Sequence, residues 1–291
     1  MNKEKILEAG KIASQVRAYA KMIIKKNVSL LEIAEKIEDK IFELGGKPAF
    51  PVNLSINEVA AHFTPYHEDE TLAHGLLKID FGVHIDGWIA DTAFSVDLEN
   101  SDENKKLILA SEKALEEAIK ISNNKTTNEI GGKISETINS YGFTPIINLG
   151  GHGLGQYDFH AEPFIPNIDN NNGKELKKGL YAIEPFATNG NGKVHDGKPH
   201  GIYILINNKN VRNPVAREIL KFVEKEYPEL PFASRWIVRK FGSKALFALN
   251  QLEQNGNLHH FPQLIESSKG IVAQSEHTIL IDKEVIVTTR D

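Results

Sequence analysis

One stretch of this chain is written twice. Glu32, Ile33, Lys36, Ile37, Ile41, Gly45 and Pro48 recur 97 positions on (32 to 129, 48 to 145) as Glu129, Ile130, Lys133, Ile134, Ile138, Gly142 and Pro145. Ala13 and Ile24 recur as Ala110 and Ile121. In each copy, apolar residues at helical spacing run into a glycine stop, a proline and a β-prone segment. His62 and His160 fall at nearly the same point of the two copies. Shared helix-capping grammar accounts for part of such a pattern; internal duplication accounts for all of it. The expectation is two similar halves about a pseudo-twofold axis, with any site on that axis drawing side chains from both.

The rest of the chain is read around that repeat. Helices are expected over about 3–26 and from Ser29, with Glu32 completing a capping box, to Gly45. The second copy gives helices over about 102–122 and from Thr126 or Thr127 to Gly142, then a strand over 144–149. Further strands are expected near 180–188, 201–207, 270–281 and 285–289, with loops over 166–179 and 189–199. Residues 213–270 change character to short helices and read as a winged-helix-like insertion subdomain inside one catalytic domain spanning 1–291. The fold class is therefore mixed α/β (α+β). Arg235, Arg239, Lys240 and Lys244 lie in this insertion, but a recognition helix needs a more basic face than 243–256 offers.

Between the two copies, 77–96 reads LKIDFGVHIDGWIADTAFSV, two strands joined at an Asp-Gly turn. Asp80 and Asp91 sit one on each strand among apolar neighbours. Stripping carboxylates of water is costly unless a cation or strong donors offset it. Three more acid or imidazole side chains stand in similar frames: His152 in GGHGLG, Glu184 in YAIEPF and Glu276 in QSEHTIL. Separately, each could be a capping or strand-end residue. Together they are two Asp, two Glu and one His, a set suited to two divalent ions rather than a structural zinc. Two like charges at about 4 Å repel by roughly 4 kcal/mol at an effective dielectric near 20. Four carboxylates balance two divalent cations. A pair of such ions would acidify a bridging water, so hydrolysis is the expected chemistry. The chain has no cysteine, which excludes thiolate ligands and a cysteine nucleophile. With a net charge of -5, no general polyanion-binding surface is implied.

HFTP at 62–65, KIDFGVHIDGWIADTAF at 78–94, GGHGLGQYDFH at 150–160, AIEPFAT at 182–188 and QSEHTIL at 274–280 together resemble the type II methionine aminopeptidases, of peptidase family M24. The likeness spans essentially the whole chain, and a helical insertion before the last glutamate separates type II from type I. It implies a pita-bread fold, a duplicated helix–strand unit around a central antiparallel sheet. It implies a dinuclear metalloaminopeptidase that hydrolyses the initiator methionine from nascent proteins, preferring a small second residue, with a hydroxide bridging two divalent metals (Co, Mn, Fe or Zn). Asp80 would chelate one metal, Asp91 and Glu276 would bridge, and His152 and Glu184 would complete the second. His62 and His160 would contact substrate and stabilise the oxyanion. Glu184 or the bridging pair would pass a proton to the leaving amine. Phe50, Phe159, Ile202 and Phe261 match positions lining the methionine pocket. Ser275 departs from the pattern, standing where a bulky aromatic is usual.

Two other readings compete. A prolidase or aminopeptidase P relative uses the same five ligands but usually carries a large extra N-terminal domain. A non-catalytic ribosome- or RNA-binding relative would have lost ligands that this chain keeps. The remaining expectations are a cytoplasmic protein, nascent polypeptide N-termini as substrate, transient ribosome association, no membrane or specific nucleic acid, and a monomer.

Overall fold

The computed structural model describes residues 1–123 and 125–290. The first half runs through α1 (Lys3–Ile23), α2 (Leu30–Glu43), β1 (Lys47–Pro48), β2 (Asn53–Ile56), β3 (Val59–Ala61), β4 (Leu76–Ile85) and β5 (Trp88–Asp97). The second half repeats the helix pair as α3 (Asp102–Ile121) and α4 (Thr127–Ser140). Strands β6 (Thr144–Pro145), β7 (Gly150–Gly155), β8 (Asp158–Pro166), β9 (Gly179–Ile183), β10 (Phe186–Thr188) and β11 (Val194–Leu205) follow. Then come α5 (Pro214–Glu226), β12 (Phe232–Ala233), α6 (Ser234–Phe241), α7 (Lys244–Gln254) and β13 (Leu258–Glu266). The chain closes with β14 (Val272–Gln274), β15 (Glu276–Ile281) and β16 (Val285–Val287).

The repeat holds at the level of packing. Ile33, Ile37 and Ile41 of α2 are buried, and so are Ile130, Ile134 and Ile138, their counterparts in α4. Both helices stop at a glycine with positive φ, Gly45 and Gly142, a backbone state that other residues enter at a cost. The capping differs. Glu129 reaches back to the Thr126 amide at 3.0 Å, whereas Glu32 turns outward to Lys36 at 2.6 Å, so only half of the first box forms. Helices α1 and α2 bury one apolar cluster against β4 and β5. Helices α3 and α4 bury another against β9 and β15.

All pairings are antiparallel, and the large sheet runs β1-β4-β5-β15-β9-β7-β8. Its centre is the β5–β15 pair, where the first half meets the end of the chain. Two expectations change here. The strand read over 144–149 is only β6, and β7 begins at Gly150, where that strand was expected to end. Glycines disguise it: a Cβ on Gly151 would lie 2.1 Å from the Ala182 carbonyl oxygen and one on Gly153 2.3 Å from that of Glu162. Only a bare backbone allows β7 to sit so close to its neighbours. The segment read as a loop over 189–199 enters β11 at Val194, because β13, about seventy residues on (194 to 266), supplies the pairing edge. Strand β8 is exposed at alternate residues and has little apolar signal of its own.

The helical block has its own core of Ile219, Val223, Phe232, Ile237, Leu249 and Leu252. Arg235, fully buried, bolts it to the first half. Its guanidinium pairs with Glu38 of α2 and donates to Thr64 Oγ1 at 2.6 Å and the Pro65 carbonyl at 3.1 Å. Arg239 pairs with Glu35 on the same helix. Of the basic residues weighed for nucleic acid, Arg235 is thus committed inside the protein and Arg239 is tied to α2 at the surface. Among the described residues, no helix is long and apolar enough to cross a membrane.

Candidate metal centre

Register brings the acids together. Asp80 on β4 lies opposite Ala93 on β5, and Glu276 on β15 lies opposite the same Ala93 from the other side. Asp91, two residues before Ala93, points to the same sheet face. The small alanine leaves the space above it to the three carboxylates. On the other half, His152 of β7 pairs with Ala182 of β9, and Glu184 follows directly on β9, two residues on and so on that face. The strand alternation that buries Phe81 and Ile79 therefore also aims these five side chains at one point.

They converge as two triads. Ligand atoms of Asp91, His152 and Glu276 lie within 4.8 Å of one another, as do those of Asp80, Glu184 and Glu276. Glu276 belongs to both. The His152 ring stands 3.9 Å from the Asp91 carboxylate through Nε2. Its Nδ1 faces the Gly153 carbonyl at 3.1 Å, an acceptor only, so Nδ1 carries the proton and Nε2 keeps a free lone pair. Glu184, which the resemblance assigns to the same ion as His152, has its carboxylate within 4.8 Å of ligand atoms of Asp80 and Glu276. Gln274 links the two acids, its Nε2 donating to Asp80 Oδ2 at 3.1 Å and to Glu184 Oε1 at 2.7 Å.

The electrostatics call for cations. Burial pushes Asp80 up to about 7, moderated by the Gln274 hydrogen bond. Burial, then repulsion by the other acids, holds Asp91, Glu184 and Glu276 well above the usual carboxylate range. Burial lowers His152 to about 4, leaving it neutral and ready to ligate. Asp80 Oδ1, Asp91 Oδ1 and both Glu276 carboxylate oxygens are buried without a hydrogen-bond partner. Unpartnered buried carboxylate oxygens are expensive, and hard divalent cations are the partners that oxygen-rich sets with one imidazole accept. The residues present fit a divalent metal centre.

A cavity of about 360 Å³ opens on these acids. Phe50, Phe159, Ile202 and Phe261 all line it, as do His62 and His160. His62 sits at φ 66° with Nδ1 3.2 Å from the Pro262 carbonyl. Nδ1 must be the donor there, so the free nitrogen of neutral His62 accepts. His160, at an outward position of β8, packs its ring 4.5 Å from that of His152 and 4.3 Å from that of Phe159, and desolvation, followed by His152, lowers its pKa. Burial lowers His62 as well, so both imidazoles favour the neutral form.

Three residues escape a reading by residue type. Gln274 is hydrogen-bonded to the acids, and Asn53 and Pro231 line the cavity. Gln274 is a polar residue in an apolar strand two places before Glu276, and that is a usable signal. Ser275 faces away from the cavity, 1% exposed, with its hydroxyl 2.8 Å from that of Ser111 on α3. A serine on the helix thus answers the serine between β14 and β15.

The model of metallopeptidase family M24 matches residues 4–283. The chain is 48% identical to the methionine aminopeptidase of Pyrococcus abyssi, over 99% of this chain and 100% of that protein. It is 47% identical to that of Methanocaldococcus jannaschii, over 99% of this chain and 98% of the relative. Among solved structures, a methionine aminopeptidase from Thermotoga maritima superposes with a TM-score of 0.71 at 21% identity, covering 100% of this chain and 98% of that one. A thermophilic Arx1 superposes with a TM-score of 0.84 at 15% identity, covering 100% and 92%. A prolidase from Pyrococcus furiosus reaches 0.62 at 18%, and the match spans 65% of its length. These structural likenesses establish the shared pita-bread fold, while the relatives above 40% identity place the sequence more narrowly. The chain belongs to metallopeptidase family M24, within its methionine aminopeptidases.

Proposed function

We propose that this chain is a type II methionyl aminopeptidase that removes the initiator methionine from nascent proteins, with two divalent ions held by Asp80, Asp91, His152, Glu184 and Glu276. The observation that carries the reading is the pair of triads sharing Glu276, with their buried, unpartnered oxygens. When bound, such ions acidify a water to a hydroxide nucleophile and polarise the scissile carbonyl. Glu276, the member of both triads, and Asp91 beside it would be the acids shared between the two ions. Cobalt, manganese, iron and zinc all suit this donor set.

The protein's own groups do the rest. The apolar walls Phe50, Phe159, Ile202 and Phe261 receive the methionine side chain and exclude water. Neutral His160 donates its ring N–H to the oxygen of the scissile carbonyl as negative charge builds there. Neutral His62, fixed as an acceptor by Pro262, takes a hydrogen bond from a substrate N–H. On this reading the oxyanion role falls to His160 and His62 holds the substrate backbone. Glu184 takes the proton released by the attacking water and returns it to the leaving amine.

Residues 1–291 act as one catalytic domain, and the subdomain at 213–270 closes the pocket with Pro231 and Phe261. A small second residue, a cytoplasmic location, a monomeric state and transient contact with the ribosome complete the proposal. The test is incubation of metal-loaded protein with Met-Ala-Ser and with Ala-Pro. Methionine released only from the first supports the reading, and cleavage of Ala-Pro alone refutes it in favour of an X-Pro peptidase.

A further inference from the structure

We propose that Gln274 is the positioning residue of this centre: its side-chain amide sets the Asp80 and Glu184 carboxylates in the arrangement that receives a metal ion. The proposal rests on the metal-centre reading above and deepens it.

A primary amide nitrogen has two hydrogens, and Gln274 spends them on Asp80 Oδ2 at 3.1 Å and Glu184 Oε1 at 2.7 Å. The reverse orientation of the amide would set a carbonyl oxygen against two carboxylates, so the assignment is fixed by its partners. The two acids come from opposite halves, one on β4 and one at the end of β9, and the amide comes from β14. One neutral side chain therefore ties the two halves together at the site, between groups that would otherwise repel.

Gln274 is itself immobilised. It is 1% exposed. Its backbone N–H donates to Ser95 Oγ at 2.9 Å, and the Ser95 hydroxyl donates to its carbonyl at 2.8 Å. It also pairs with Phe186 across β10 and β14. The amide holds Oδ2 of Asp80 and leaves Oδ1 without a partner. Orientation and metal binding thus use different lone pairs. Asp91 is held through its backbone instead: its N–H donates to Thr278 Oγ1 at 2.7 Å, and that hydroxyl donates to the Asp91 carbonyl at 2.8 Å. A methionine at 274 would fill the same space without either N–H, freeing Asp80 and Glu184 to turn apart. Ligand-orienting groups of this kind change metal affinity by about 10–100-fold when removed.

The experiment titrates the metal-free full-length chain with Mn²⁺ by calorimetry, for wild type, Gln274→Met and Ser95→Ala, and follows the unfolding of each with and without Mn²⁺. The Mn²⁺ dissociation constant of Gln274→Met should rise about 10–100-fold. Its activity on Met-Ala-Ser should recover as Mn²⁺ is raised, with the peptide KM little changed. Ser95→Ala, which loosens the backbone clamp and leaves every acid in place, should shift affinity the same way by less. A merely structural role would lower melting temperature equally with and without Mn²⁺ and leave the dissociation constant untouched; that result overturns the proposal. Failure of the wild type to bind Mn²⁺ would instead strike the metal-centre reading on which it rests.

Discussion

Replacing Asp91 by Asn should abolish metal binding and activity, yet make the metal-free protein more stable at pH 8. Asp91 is 3% exposed, and its ligand oxygen shares a 4.8 Å triad with Glu276. Coulomb's law at an effective dielectric near 20 gives about 3.5 kcal/mol for two unit charges at that separation. Partial protonation of the cluster reduces what one substitution recovers to about 1–3 kcal/mol, or roughly 2–6 °C in melting temperature for a domain of this size. The asparagine amide has acceptors to meet in Asp80 and Glu276, so the exchange leaves no buried donor stranded. Thermal unfolding of the metal-free proteins at pH 8 and pH 5, with metal content measured by mass spectrometry, reads both effects. The gain should vanish at pH 5, where the wild-type acids are already neutral. A metal-free Asp91→Asn protein less stable than wild type at pH 8, or one that retains two ions and full turnover, would refute the argument.

The wild-type metal-free protein should itself lose stability as pH rises. The four clustered acids, two buried and two partly buried, have folded-state pKa values above their unfolded ones, so the folded chain holds more protons from about pH 4 upward. For Asp80, moving from 3.8 to about 7, the loss across that window is about 4 kcal/mol. A melting temperature flat from pH 4 to pH 7 after chelation would contradict this. His160→Ala should keep its metal and lose about 10²–10³ in kcat, as removing one oxyanion donor does; loss of metal would make His160 a ligand. Arg235→Met should cost about 3–5 kcal/mol by stranding Glu38 without its buried partner, and adding Glu38→Gln should restore part of that in thermal unfolding.

The residues themselves determined the doubled plan, because helical spacing, glycine stops and prolines are local signals that survive without a partner. They also determined the donor set, since an acid in an apolar frame is conspicuous wherever it stands. Strand β7 was hidden by the very glycines that let it pack, and β11 by a pairing edge far along the chain. Register, not spacing, decided how the ligands group. Asp80 and Glu276 flank Ala93 because three strands align there, and the Gln274 amide links Glu184 to Asp80. A hydrogen-bond partner likewise decided what His62 can do: the Pro262 carbonyl makes it an acceptor, a fact of geometry that no residue type encodes. Sequence names the groups that can carry charge; the tertiary structure alone sets how near those charges come, how dry they are, and which way each lone pair points.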